Sequence, residues 1–441
     1  MIENRDALAD TPAHHTALHC VEVGIRAAAP ERVVREGARL DGDRLLVGGE
    51  IYDLDGFEEV LVVGGGKAAA GVAAALEELL GDRLSGGVVV TNDPRPTERV
   101  AVVEASHPVP DERGVAGAER VREAVADADE GTLVLAVVTG GASALLPAPA
   151  DGVSLSDLQA VTDALLASGA SIDDINAVRK HCSALKGGLL ARAAAPATVV
   201  GLLFSDVVGD DPAVIGSGPV SPDPSSFADA LGVLEEYEVD APTAVRERLE
   251  RGAAGDLPET PTADDDCFGR VDTHVLANAW TALDAAREAA RDAGFRTVVL
   301  SSRIEGEARD AAKTQAAVAE EIAATGNPVE PPAVVLSGGE TTVTKTGDGR
   351  GGPNTEFALS AARSLPETAV LASVDTDGED GASDAAGALV DGDTVTDRAA
   401  ATAALRDNDA AGYLAEQGAL VETGRTGTNV NDLRVLVVTA A

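Results

Sequence analysis

Residues 61–80 read LVVGGGKAAAGVAAALEELL: a short apolar run, three glycines, one lysine, then an alanine-rich amphipathic stretch. The run is short enough for a buried strand and the spacing after it is helical, so the segment predicts a strand that turns sharply into a helix. Gly64, Gly65 and Gly66 permit a tight turn and close backbone approach, and Lys67 stands where the helix begins. Five other junctions share this design: 133–146 (LVLAVVTGGASALL), 199–219 (VVGLLFSDVVGDDPAVIGSGP), 336–357 (LSGGETTVTKTGDGRGGPNTEF), 373–388 (SVDTDGEDGASDAAGA) and 423–438 (TGRTGTNVNDLRVLVV). Buried strands that end in Gly, Ser or Asp loops build ligand sites at the carboxyl edge of open α/β sheets. One such loop is an ordinary turn; six predict a composite site.

Working outward, residues 14–35 read as one Ala- and Val-rich helix, and 57–220 alternate short apolar strands with helices, the pattern of a doubly wound, Rossmann-like sheet. Residues 252–268, GAAGDLPETPTADDDCF, are rich in Pro, Gly and Asp and are the expected linker. The expected organisation is therefore α/β throughout: a domain over 1–251, the linker, and a second domain over 269–441 with strands near 297–301, 333–337, 369–374 and 434–438. At 441 residues the chain exceeds what one hydrophobic core usually supports. Because both domains contribute glycine-rich loops, the active site is expected in the cleft between them.

The chain carries 74 acidic and 34 basic residues, a net charge of −40, and only 5 of the basic residues are lysine. Acidic residues spread along the whole length predict a surface adapted to concentrated salt, where charge screening shortens to about 3 Å at 1 M. A halophilic, soluble, cytoplasmic protein is expected. No basic stripe is available for nucleic acid, and no run approaches the ~20 apolar residues of a membrane span. Cys20, Cys182 and Cys267 are odd in number and lack CxxC spacing, which fits structural thiols. His15 and His19 are four apart in a helix but have no third ligand in view, and His107 and His181 read as structural.

A lysine after three glycines and an arginine, Arg350, inside a second glycine-rich loop are the groups that hold a polyanion through phosphoryl transfer. Carboxylates for a divalent ion follow strand ends: Asp206, Asp210 and Asp211 in one loop, Asp375 and Asp377 in another. Mg²⁺ binds through one or two such groups together with water and phosphate oxygens. GGGKAA is not a Walker A loop, because Ala68 occupies the place of the metal-binding hydroxyl, and Ala69 fills the third position of the GxGxxG fingerprint.

These segments resemble the glycerate 2-kinases whose C-terminal part is called the MOFRL domain, a family often labelled hydroxypyruvate reductases. The likeness runs in order through GGGKAAAGVA (64–73), HPVPDE (107–112), SGASIDDINAVRKHCSALKGG (168–188), SDVVGDDPAVIGSGPVSPDPSSF (205–227), GGETTVTKTGDGRGGPNTEFAL (338–359), TDGEDGASDAAGA (376–388) and TGTNVNDL (426–433). It implies ATP- and Mg²⁺-dependent phosphorylation of D-glycerate, with position 2 favoured, and a MOFRL region over about 331–441. It also implies catalytic roles for Lys67 and Arg350. Two departures stand out: TGGASALL has Thr139 and Ala142 where relatives carry Ser and Gly, and GRGGPNTE has Pro353 and Thr355 where they carry Arg and Gln.

The expected assignments follow. Lys67, Arg350 and Asp206 are catalytic. Gly64, Gly65, Gly66, Gly140, Gly141, Ser143, Gly338, Gly339, Glu340 and Asn354 contact nucleotide or substrate, Asn354 alternatively capping the next helix. Asp206, Asp210 and Asp377 are the candidate metal ligands. Arg179 and Lys186 read as the solvated basic face of an amphipathic helix that could approach phosphates. The alternatives are a nicotinamide-dependent reductase, with His107 as proton donor, and a non-catalytic nucleotide- or sugar-acid-binding protein. A homodimer is an expectation with no sequence feature behind it.

Overall fold

The computed structural model describes residues 1–440. The chain divides into two compact units, one formed by residues 33–205 and 210–276, the other by residues 1–32, 206–209 and 277–441.

The first unit opens with an antiparallel meander, β1 (Ala38–Asp41), β2 (Arg44–Val47) and β3 (Glu50–Asp53). Its main sheet contains β4 (Glu59–Gly65), β5 (Gly86–Thr91), β6 (Val100–Glu104), β7 (Thr132–Thr139), β8 (Thr198–Phe204) and β9 (Val271–Ala277), in the order β6-β5-β4-β7-β8-β9. The pairings from β6 through β8 are parallel. Every residue of β7 is buried, as expected of a central parallel strand covered on both faces. The strand order reverses between β4 and β7, and at such a switch point the loops leaving the two strands part to opposite sides and open a crevice.

The second unit is built on a mixed sheet of β10 (Arg296–Ile304), β11 (Ala333–Gly339), β12 (Ala369–Asp375), β13 (Gly387–Asp391), β14 (Leu420–Val421) and β15 (Asp432–Val438). Its order is β10-β11-β15-β12-β13-β14, parallel only between β10 and β11. The C-terminal strand is thus central, and Val435 and Val437 face one hydrophobic cluster while Leu436 and Val438 face another.

Three sequence expectations differ from this arrangement. The single helix over 14–35 is two helices, Pro12–Ala27 and Pro30–Gly37, because Pro30 has no N–H for the first helix and instead starts the next one. Residues 1–32 belong to the second unit rather than to a domain 1–251. Gly24 lets helix Pro12–Ala27 lie so close that an added Cβ would come within 2.6 Å of Leu433 Cδ2 and 3.0 Å of the Ala282 carbonyl. The supposed linker 252–268 is packed into the first unit: Asp223 N–H donates to the Pro261 carbonyl, Thr260 donates to Asp223 Oδ2, and Glu259 bonds His181. The strand after it, β9, completes the first sheet instead of opening the second. Among the described residues no helix is long and apolar enough to cross a membrane.

Candidate active site

The turn after β4 is stitched to its neighbours. Gly66 N–H donates to the Val90 carbonyl at 2.9 Å, Lys67 N–H to the Gly140 carbonyl at 2.8 Å and Ala68 N–H to the Thr139 hydroxyl at 3.1 Å. The Lys67 carbonyl accepts from the Thr91 hydroxyl at 3.1 Å. With these N–H groups occupied by protein acceptors, the turn is not a phosphate nest of the P-loop kind; what it delivers is the half-buried Lys67 side chain. The glycines answer to packing. A Cβ at Gly64 would meet the Val137 carbonyl oxygen at 1.9 Å, and one at Gly66 the Thr139 hydroxyl oxygen at 2.1 Å, and both residues hold φ near 130°.

β7 ends in a matching turn through Gly140 and Gly141 into the short helix Ala142–Leu145. Gly141 holds φ 78°, and a Cβ there would lie 3.0 Å from His107 Cδ2 and Nε2 and 3.2 Å from Lys67 Cγ. The His107 ring and the Lys67 stem therefore flank one glycine, which brings together residues 40 positions apart. Ser143 Oγ lies 2.9 Å from Ser217 Oγ, and Ser217 donates onward to Asn176 Oδ1 at 3.0 Å. Since that bond uses the one Ser217 proton, Ser143 is the donor of the pair.

Arg179 and Lys186 correct the sequence reading, which placed them on a solvated face. Lys186 is 5% exposed, and its Nζ donates to the Leu146 carbonyl at 3.2 Å. Burial pushes its ammonium down to about 7, with the charge of Arg179 adding to the effect. Lys186 lies in the turn beyond helix Ile172–His181, and that helix is covered by helix Phe227–Glu236 and by residues 259 and 260, with Lys180 and His181 turned into protein. His181 is structural, as expected: it bonds the Ala177 carbonyl and Glu259 and packs edge-on against Phe227 at 4.6 Å.

In the second unit, sheet register sets Gly339, Asp432 and Asp375 side by side at one edge. Asp432 accepts from Asn354 Nδ2 at 2.6 Å, from Thr341 N–H at 3.3 Å and from the buried guanidinium of Arg434. That guanidinium also stacks over Phe357, 4.4 Å from the ring centre. Asp380 caps helix Pro353–Ala362, accepting at 2.8 Å from both Asn354 and Thr355 N–H, although burial holds its carboxyl up at about 6. Asn354 does not cap this helix with its side chain, which is buried between Asp432 and Ser373. Pro353 occupies the first helical position, where its missing N–H costs nothing.

Arg350 is exposed, with its guanidinium 3.4 Å from Asp384 and its backbone N–H held by Asp409 at 3.0 Å. It borders a cavity of about 390 Å³ shared with Ser383, Gly412 and Glu422. Gly338 and Gly339 are packing glycines, since Cβ atoms there would reach the Asp432 and Ile304 carbonyl oxygens at 2.9 and 2.2 Å; Glu340 beyond them is exposed. Asp377 is 7% exposed and accepts from Glu379 N–H within its own loop. Asp206, half-buried after β8, falls in the second unit and Asp210 in the first. Among the described residues no group of three or more His, Cys, Asp or Glu side chains could hold a metal, His15 and His19 included.

Residues 16–250 match the domain of unknown function DUF4147, and residues 333–432 match the MOFRL family. The glycerate 2-kinase of Pyrococcus horikoshii is 39% identical over 96% of this chain and 97% of its own, and the D-glycerate 2-kinase of Thermotoga maritima is 40% identical over 95% and 96%. An Agrobacterium vitis protein with the provisional name hydroxypyruvate reductase is 44% identical over 86% and 87%. The crystal structure of the glycerate kinase from T. maritima superposes with a TM-score of 0.82 at 39% identity, covering 96% of this chain and 99% of that one.

Proposed function

The chain belongs to the DUF4147/MOFRL family of glycerate kinases, and we infer that it transfers the γ-phosphoryl group of ATP to the 2-hydroxyl of D-glycerate, giving 2-phosphoglycerate and ADP. The observation that carries this reading is the identity of about 40% with two glycerate 2-kinases along nearly the whole chain, combined with a lysine fixed at a strand-order reversal. We read the β4–β9 sheet as doubly wound and Rossmann-like, with the turns after β4 and β7 as its ligand edge.

Phosphoryl transfer asks a protein for position and charge rather than covalent chemistry. Lys67 is held by bonds on both sides of its peptide, so its ammonium is the cation that stabilises charge on the transferring phosphoryl. Arg350 is the second such cation by the family resemblance, and its guanidinium is exposed beside Asp384. Ala142 and Ser143 open a helix whose first N–H groups have no intrahelical acceptor and suit an anionic group. Asp206 orients the metal or accepts the proton of the attacking hydroxyl. Asp206 would be the carboxylate that holds a Mg²⁺ ion, which would supply charge neutralisation for the phosphates of the nucleotide. The acidic surface suits work in the concentrated salt of a halophilic cytoplasm.

The reductase reading gains one observation, His107 beside Lys67, which supplies a proton donor. Against it, the N–H groups of Gly66, Lys67 and Ala68, where a dinucleotide pyrophosphate would rest, already bond protein atoms. Replacing Lys67 with Ala is expected to lower kcat for ATP-dependent phosphorylation of D-glycerate by about a hundredfold or more while the far-UV spectrum and melting temperature persist. Turnover within a few-fold of the wild type would remove Lys67 from the mechanism.

A further inference from the structure

Helix Ile172–His181 and the turn after it carry three cations in a mostly buried setting, and the chain treats them differently. Lys180 is 4% exposed and is neutralised by a carboxylate, Asp223, at 3.1 Å; Asp223 is further fixed by Thr260 and Ser225. That is how this protein buries a structural lysine. Lys186 is as deeply buried, yet it has one carbonyl, Leu146, and no carboxylate. Arg179, half-buried and seven residues before Lys186, makes no ion pair or side-chain hydrogen bond among the described residues, and its charge disfavours the Lys186 ammonium. Two like charges held together without an anion are unfavourable unless something else supplies it. In the absence of one, the Lys186 ammonium is driven down to about 7.

The surroundings are polar. Asn176, one turn before Arg179, holds the Ser217 hydroxyl, and Ser217 in turn receives Ser143. Gly187, next to Lys186, donates its N–H to the Ser217 carbonyl at 3.0 Å, and the Leu146 carbonyl that Lys186 touches ends the same turn that begins beside Lys67. The cation pair and Lys67 therefore stand at the two ends of residues 140–146.

We propose that Arg179 and Lys186 form the subsite that holds the carboxylate of the acceptor substrate. The assignment rests on the kinase reading for the reaction, but the anion site rests on the unpaired cations alone. A carboxylate matches the planar fork of a guanidinium and, being a single charge, balances the pair. Metal-bound nucleotide phosphates are a poorer match, because Asp223, the buried carboxylate beside Gly187, is already engaged by Lys180. The enzyme is consequently built for 2-hydroxy acids, and a neutral polyol such as glycerol lacks the group this subsite recognises.

The test compares Lys186→Met, Arg179→Met and Arg179→Lys with the wild type. Each Met variant should raise KM for D-glycerate about tenfold or more, leave KM for ATP within about twofold, and lose the rise in melting temperature that D-glycerate gives the wild type; Arg179→Lys should recover part of both. Lys186→Met should also melt no lower than the wild type without ligand, because it removes a buried charge that has no partner. Should Lys186→Met not fold, the two Arg179 variants carry the comparison at a partly exposed position. A shift confined to ATP would overturn the carboxylate assignment, and undiminished stabilisation by D-glycerate in the Met variants would overturn the subsite. Because the melting measurement needs no turnover, a wild type that is stabilised by D-glycerate but transfers no phosphate would sink the kinase reading and leave the subsite standing.

Discussion

Lys180 and Lys186 are six residues apart and equally buried, and the difference between them is one carboxylate. Linkage makes that difference measurable. Lys186 has its folded pKa pushed from 10.5 down to about 7, so between those values the unfolded chain binds the proton that the folded chain has lost. Stability must therefore rise with pH from about 7 toward 10.5, and this contribution should vanish in Lys186→Met. Unfolding both proteins in denaturant at a series of pH values checks it, and parallel stability curves would contradict it. The position was hard to read in the sequence. NAVRKHCSALKGG has helical spacing with cations on one side, which is also what a solvated face looks like; in the structure the helix ends at His181, and Lys186 lies in the turn beyond it, buried against the Leu146 carbonyl. One signal was present, namely the scarcity of lysine in so acidic a chain.

At the scale of elements, the strand–glycine–helix units were legible because the code is local. An apolar run, glycines forced by contact between β4 and β7, and an alanine-rich helix all lie within 20 residues. Partners distant in the chain were not legible. Helix Pro12–Ala27 packs on helix Ala279–Asp292 and on β12 and β15, a choice encoded by Gly24 and by apolar positions some 260 to 410 residues away. The same helix is tied to the end of β13, where His14 Nε2 lies 3.3 Å from Asp391 Oδ2. The His14 bond, with Thr394 and the Asp393 N–H, holds the Asp391 carboxyl down at about 2 against its ordinary 3.8. A depressed carboxyl stabilises above its unfolded value and loses that contribution as pH falls through its folded one. Asp391→Asn should therefore cost about 1 kcal/mol near neutral pH and progressively less between pH 3.8 and about 2. A cost that does not shrink in acid would show that the residue acts through shape alone.

For the molecule as a whole, charge and site obey separate rules. Most arginines pair with acids at the surface, where single ion pairs add little. Of the five lysines, Lys313 and Lys345 are exposed, while Lys67, Lys180 and Lys186 are withdrawn into the first unit, two of them along the turn 140–146. Three of the five lysines of this acidic chain are thus withdrawn from its surface. The family resemblance was visible from motifs in order along the sequence, and the comparisons with glycerate kinases agree with it; the unit boundaries and the burial of Lys186 required coordinates.

The measurement that bears most directly on this account is phosphorus NMR of the products formed from D-glycerate and ATP with Mg²⁺ in molar KCl. The account predicts stoichiometric ADP and a phosphomonoester on carbon 2. ADP without that ester, or no ADP alongside NADH oxidation with hydroxypyruvate, would contradict it.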